Sequence, residues 1–444
     1  MHLYTPRLIE PLCRAALEAQ KILVLIGARQ TGKSTMSIAL LANVAEERKL
    51  LLNLDDPFLR DRLVGEDGAL IAAIERKAGR PWSAIERFHL VVDEAQRAPG
   101  LFEILKALHD QERHRLSIIV TGSSALGIHD PVAESFAGRA RILVLHPFTM
   151  AEGFAHASGG ATVGDSLGSA MSKLLSGSFS PHDFDAMVER ARWDAPARQS
   201  YAAAHLRHPL FPEPSSSDQP ELWVRDYLST YIEKDVQSLA AVGNVALFRA
   251  CLRQVAARTG SPFKWEPAAQ EVGTTSVTLR KYAGLMEQTY NLQRLDAFAV
   301  NPVKRVIKAP KLFLSDPGLL WGLRGFEDLR LLEASGMLGA YMELAVICEI
   351  TKWCALEPTA PELRFWSKTA VSEVGMVVSN RGYHIPFEIK LGERFQPRWL
   401  RGLDAFEADH ASLGLAIPYR VLIHNGEPAR IDERTFVLPL WCLT

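Results

Sequence analysis

The sequence predicts an α/β protein of several domains, led by a parallel-sheet domain. Three observations carry this. A chain of 444 residues exceeds what one hydrophobic core ordinarily organises, so about two to four domains are expected. Up to residue 150, the apolar runs ILVLI, LLLNLD, FHLVVDE, LSIIVTG and RILVLH alternate with helical stretches, the rhythm of βαβ units. Between the first run and the helix that follows it lies GARQTGKST, residues 27–35.

Composition narrows the classes. The formal net charge is -1, so any nucleic-acid surface has to be a local basic patch. Cys13, Cys251, Cys348, Cys354 and Cys442 form no CxxC pair and no Cys/His cluster, which argues for free thiols and against a disulfide framework or a zinc site. The opening stretch MHLYTPRLIEPLCRAAL lacks the apolar centre of a signal peptide, and no run reaches membrane-spanning length. A cytoplasmic protein with no membrane partner is expected.

GARQTGKST fits G-x-x-x-x-G-K-[ST]. In such a loop Gly27, Ala28, Arg29, Gln30, Thr31 and Gly32 turn backbone N–H groups around phosphate oxygens, and the following helix presents its positive end. Lys33 is placed to reach the β- and γ-phosphates of ATP, the Ser34 hydroxyl to ligate Mg²⁺, and Thr35 continues the helix. HLVVDEAQ supplies the second half: Asp93, at the end of an apolar strand, holds the metal, and Glu94 polarises the attacking water. SIIVTGSS ends another strand in hydroxyls, of which Thr121 or Ser123 senses the γ-phosphate. Arg139 is either an arginine finger reaching a neighbouring copy's nucleotide or the partner of an acid at a turn.

VLIGARQTGKST, LNLDDPFLRDRL, LVVDEAQRAPGLFEILKALHD, VTGSSAL, AGRARILVLHPFT and TYIEKDV, in that order, resemble a widespread group of prokaryotic AAA+-type, archaeal-ATPase-like P-loop proteins. The resemblance spans nearly the whole chain apart from the Gly/Ser-rich stretch near 156–180. It implies a P-loop AAA+ ATPase core (1–152), a helical lid with a Gly/Ser-rich insertion (153–240), a winged helix (241–330) and a C-terminal restriction-endonuclease-like α/β domain (331–444). Residues 156–220 read as loops flanking a helical piece, and ELWVRDYLSTYIEKDVQSLA (221–240) as an amphipathic helix.

WEPAAQEVGTTSVTLRKYAGLMEQTYNLQRL has helix–turn–helix logic. A short helix ends at Gly273, Thr274 or Thr275 caps a second, Val277, Leu279, Tyr282 and Leu285 face inward, and Thr278 and Lys281 face out. NLQRLDAF and KAPKLFLSD are expected to form the strands of a wing carrying Lys304, Arg305, Lys308 and Lys311 along a phosphate backbone. Such modules also bind proteins, which keeps a protein partner open beside DNA.

In the C-terminal domain Glu343 lies on a helix, and Glu388-Ile389-Lys390 places Glu388 and Lys390 on one face of a strand. In the nuclease-like site the resemblance implies, the glutamates bind a divalent metal and the lysine orients water. The pattern acid-Val-Asp-Phe expected on the preceding strand reads Glu373-Val374-Gly375-Met376, so glycine stands where the aspartate is needed. Glu373 is taken to face away from the site unless a bulge turns it. The expected whole is a Mg²⁺-dependent ATPase acting on DNA, within a homo-oligomer and with a degenerate nuclease domain. The alternatives are an ATP-regulated nuclease and a nucleotide-driven signalling or defence switch with a protein partner.

Overall fold

Each of the five apolar runs before residue 150 is a strand: β1 (Ile22–Ile26), β2 (Lys49–Asn53), β3 (Phe88–Asp93), β4 (Leu116–Gly122) and β5 (Ala140–Val144). The computed structural model describes residues 4–66, 68–123, 136–159, 163–217, 219–231, 243–299, 308–326, 328–369 and 372–444. These fall into two units, Met1–Pro147 with Gln288–Tyr290, and Phe148–Glu287 with Asn291–Thr444.

In the first unit the strands are ordered β2-β3-β4-β1-β5, with every described pairing parallel. A parallel sheet needs both faces covered, and ILVLI of β1 is buried at every position. Helices Ala69–Ala78 and Leu101–Glu112 contribute Leu70, Ile74, Phe102 and Leu105 to the cluster around Val24, Ile26, Leu90 and Val92. Because the strands run one way, their C-terminal ends share an edge. Ile26 is level with Gly122 and Val144, and Val92 with Val120, so the residues that follow β1, β3 and β4 emerge there together.

The second unit holds a mixed sheet. Its strands are β6 (Leu292–Ala297), β7 (Lys311–Leu314), β8 (Glu362–Thr369), β9 (Ser372–Asn380), β10 (Tyr383–Ile389), β11 (Arg420–His424), β12 (Ala429–Asp432) and β13 (Thr435–Pro439). Their order is β12-β13-β11-β10-β9-β8-β6-β7. The two strands expected to form a wing therefore belong to the sheet of the C-terminal region, joined through Asp296↔Arg364 and Ala297↔Phe365. Helix Arg401–His410 packs Leu403 and Phe406 on Trp366, Val374 and Val377. Helix Leu338–Leu356 is largely apolar and is buried from Tyr341 to Cys354 apart from the half-buried Glu343 and Thr351.

The stretch read as loops is more helical than expected. Asp165–Ser176, Pro181–Arg192 and Ala195–His205 are helices. Leu167, Met171, Leu174 and Leu175 recur at helical spacing and are buried, and Ser180 and Asp183 close a capping box. These signals outweigh the glycines and serines around them. The helix expected over 221–240 is present as Pro220–Thr230; residues 232–242 lie outside the described ones.

Two charges sit in the core of this unit. Glu349, fully buried, accepts from the Met150 N–H at 3.0 Å and from Trp353 Nε1 at 2.9 Å. Lys352 Nζ lies 3.6 Å from Glu349 Oε2 and donates to the Phe148 carbonyl at 2.8 Å. Removing one member leaves the other charge buried without its counter-ion. Lys352→Met is therefore expected to lower stability by ~3–5 kcal/mol in denaturant unfolding. Adding Glu349→Gln should recover part of that loss, and strict additivity of the two changes would refute the pairing.

Candidate functional site

The phosphate-binding sequence occupies the edge where β1 ends. Gly27 has φ 148° and Gly32 φ 93°, left-handed backbone that glycine adopts without strain. A Cβ on Gly27 would stand 2.3 Å from the Leu145 carbonyl oxygen, so close packing also demands glycine there. Helix Lys33–Leu40 starts directly after Gly32 and points its N-terminus at the loop. Lys33 is buried, its Nζ donating to the carbonyls of Gly27 at 3.0 Å and Ala28 at 2.7 Å, which holds the ammonium inside the loop. Thr31 is buried and closes the turn on the Ala28 carbonyl, whereas Arg29 is half-buried and Gln30 and Thr35 are exposed.

The other expected residues converge on this loop. Ser34 Oγ donates to Asp93 Oδ2 at 2.6 Å, and Thr121 Oγ1 donates to Asp93 Oδ1. Glu94 takes a left-handed conformation with φ 57°, which ends β3 and turns its side chain out of the strand. Gln96 Nε2 bridges Glu94 and Ser123, 3.1 Å from the Ser123 hydroxyl, and Ser123 Oγ donates to Glu94 Oε2 at 3.3 Å. Thr121 thus belongs with the Asp93 carboxylate and Ser123 with Glu94.

Two residues missed from the sequence complete the frame. Gln96 is one; Arg7 is the other, buried and donating to the carbonyls of Thr31 at 3.0 Å and His146 at 2.8 Å. Nothing in MHLYTPRL announces that role. Arg139 is at the opposite edge of the sheet, where its carbonyl accepts from Ile22 N–H, five strand residues or ~16 Å from the loop. It forms a two-point ion pair with Asp110, with Nη2 2.9 Å from Oδ2. Within its own chain Arg139 is thus the partner of an acid, away from the phosphate loop.

Residues 19–154 match the family described as AAA domain. The N-terminal unit contains an AAA domain. Residues 208–330 and 338–443 match two further families, the domains of unknown function DUF8612 and DUF4143. An uncharacterized protein of Mycobacterium tuberculosis is 26% identical over 378 residues, covering 85% of this chain and 72% of its own length. One from Mycobacterium bovis matches to the same extent. Among solved structures, the Walker-type ATPase PABY2304 of Pyrococcus abyssi is 15% identical, with TM-score 0.44 over 72% of this chain and 96% of that one. The ORC1 protein of Aeropyrum pernix, solved with DNA, is 12% identical with TM-score 0.29 over 75% of this chain and 95% of that one.

Beyond the AAA domain, the expected helix–turn–helix residues form Trp265–Glu271 and Ser276–Gln288, separated by a turn with Gly273 at φ 69°. Thr275 makes the cap, accepting from Thr278 N–H at 3.2 Å. Leu279, Tyr282, Ala283, Leu285 and Met286 form the inward stripe, but Val277 is 75% exposed. It sits in the first turn, before the packed stripe begins. Lys281 is exposed. Lys304 and Arg305 lie outside the described residues. Lys308 is exposed and donates to the Ser367 carbonyl.

Lys311 corrects the expectation of a basic wing. Its side chain is 2% exposed and bonds Glu343 Oε1 at 2.8 Å and Glu373 Oε1. Burial lowers its pKa, but the two carboxylates outweigh that and the net shift is upward. Glu373 is a second correction: it does not face away but lines a pocket of about 460 Å³ with Glu343, Gly375, Glu388 and Lys390. Strand β9 is irregular here, its register against β8 shifting between Trp366↔Val374 and Arg364↔Val377 and again beside Ser367↔Glu373. Val374 and Val377 pack against the helix Arg401–His410.

Glu388 Oε1 is 2.5 Å from Lys390 Nζ, while the buried Oε2 has no hydrogen-bond partner among the described residues. Burial pushes the Glu388 carboxyl up to about 7 from 4.5, with Lys390 opposing. A carboxyl whose folded pKa is raised stabilises the fold below the unfolded value and loses that contribution as pH rises through the folded one. Relative to Glu388→Gln, the wild type should lose stability between pH 4.5 and about 7 and change no further above it. Paired denaturant curves at pH 5 and pH 8 that give the same difference would contradict the assignment.

Proposed function

We propose that the chain is a Mg²⁺-dependent ATPase that works on DNA. The observation that carries the ATPase reading is the convergence of Ser34 Oγ and Asp93 Oδ2, 2.6 Å apart, beside the buried Lys33 ammonium. A hydroxyl and a carboxylate at that spacing fit the donor set by which Mg²⁺ is held next to a P-loop. Bound there, Mg²⁺ would neutralise charge on the β- and γ-phosphates.

The chain's own residues do the rest. Backbone N–H groups of 27–33 and the helix N-terminus hold the phosphates, and Lys33 supplies a positive charge to the oxygen that leaves. Glu94 accepts the proton of the attacking water. Gln96 and Ser123 fix the Glu94 carboxylate, and the Ser123 hydroxyl lies beside it as the contact for the terminal phosphate.

The DNA reading rests on the helix Ser276–Gln288. Its first turns expose Val277 and Lys281, and Gly273 provides the tight turn from the preceding helix, as in a winged helix that enters a groove. Lys308 adds a second exposed cation after β6. The C-terminal pocket has the outline of a restriction-endonuclease-like site, but Gly375 supplies no acid, and we assign it no cleavage.

Lys33→Ala should abolish ATP turnover. Glu94→Gln should retain ATP binding while kcat falls by about 10²–10⁴-fold in a steady-state phosphate-release assay. Unchanged turnover in Glu94→Gln would remove the general-base role.

Lys281→Ala and Lys308→Ala should each weaken duplex binding uniformly across sequences and lower the salt slope by about 1. Any stimulation of ATPase by DNA should fall in parallel, with basal turnover intact. Equal affinity and slope in the double variant would shift the reading to a protein partner.

A further inference from the structure

The carboxylates of the C-terminal pocket are already occupied by a cation of the chain itself. We propose that the Lys311 ammonium is the resident cation of this site, standing where a nuclease of this outline would hold a divalent metal. The inference deepens the reading of that pocket given above and is independent of the ATPase reading.

Three observations support it. Lys311 reaches both Glu343, from the helix Leu338–Leu356, and Glu373, from β9, with one Nζ, so a single positive charge bridges acids from two elements. The ammonium is built in: the side chain is 2% exposed, its Nζ is 5.4 Å from the centre of the Phe365 ring, and its backbone pairs in β7 with Leu295. The pocket supplies its own positive charge. Three carboxylates, Glu343, Glu373 and Glu388, face four cations, Lys311, Lys390 and the exposed Arg398 and Arg401 of the pocket wall.

A divalent ion on the same oxygens would stand within a few ångströms of the ammonium, where like charges in a low-dielectric pocket repel strongly. Among the described residues, no group of three or more His, Cys, Asp or Glu side chains is arranged to hold a metal ion. A Cβ on Gly375 would stand 3.6 Å from Glu343 Oε1 and 3.5 Å from Ile389 Cδ1, ordinary contact distances, so there is room for the first carbon of a side chain at this position.

The test uses the full chain without nucleotide, carrying Asp93→Asn so that the AAA domain contributes no metal site, and titrates Mn²⁺ by calorimetry and by thermal unfolding. With Lys311 present, neither the parent nor Gly375→Asp should bind Mn²⁺ or be stabilised by it. Lys311→Met with Gly375→Asp should bind one Mn²⁺ about tenfold or more tightly than either. That gain should vanish on adding Glu343→Gln. Mn²⁺ binding to Gly375→Asp as tight as to the double variant overturns the proposal. A folded double variant that binds no Mn²⁺ overturns it as well. If the Met variant does not fold, Gly375→Asp decides alone. Binding that Glu343→Gln abolishes counts against the resident ammonium, and no binding counts for it.

Discussion

The carboxylate of Asp93 is the joint on which the AAA domain's site depends. One oxygen takes the Ser34 hydroxyl, from the helix that follows the phosphate loop, and the other takes Thr121 from β4. Strand β4 lies between β1 and β3, so this carboxylate ties the end of the phosphate loop to the acid strand across the strand between them. Asp93 is itself buried at 8% exposure, where an anion persists only with partners of this kind. The parallel register supplies the coarse alignment, and the two hydroxyls set the final position.

The nucleotide site was legible because its information is local. Nine contiguous residues set the loop, and an apolar strand ending in Asp93-Glu94 set the acids. What escaped was contributed from far away in sequence. Arg7 reaches Thr31 across 24 residues and His146 across 139, and neither span leaves a periodic trace. The division of labour between Thr121 and Ser123 depends on which acid each one faces, again a tertiary fact.

The same contrast explains the errors in the second unit. Lys311 follows Lys304, Arg305 and Lys308 closely enough to look like one basic hairpin, yet β7 is the edge of an eight-stranded sheet and carries this lysine inward. Period-two reasoning describes a regular strand, whereas β9 shifts register against β8 on both sides of Glu373 and Val374, a tertiary irregularity that the sequence does not announce. Val277 faces out because the packed stripe of its helix begins at Leu279. The helices between 165 and 205 were readable from their apolar spacing, which the glycine and serine content obscured.

The central claim is that Ser34 and Asp93 hold the metal that accompanies ATP. Calorimetric titration of ATP with and without Mg²⁺, on the wild type, Ser34→Ala and Asp93→Asn, tests it most directly. Mg²⁺ should tighten ATP binding by about tenfold or more in the wild type and leave both variants nearly unaffected. A wild-type affinity indifferent to Mg²⁺, or a gain that survives both substitutions, would contradict the account.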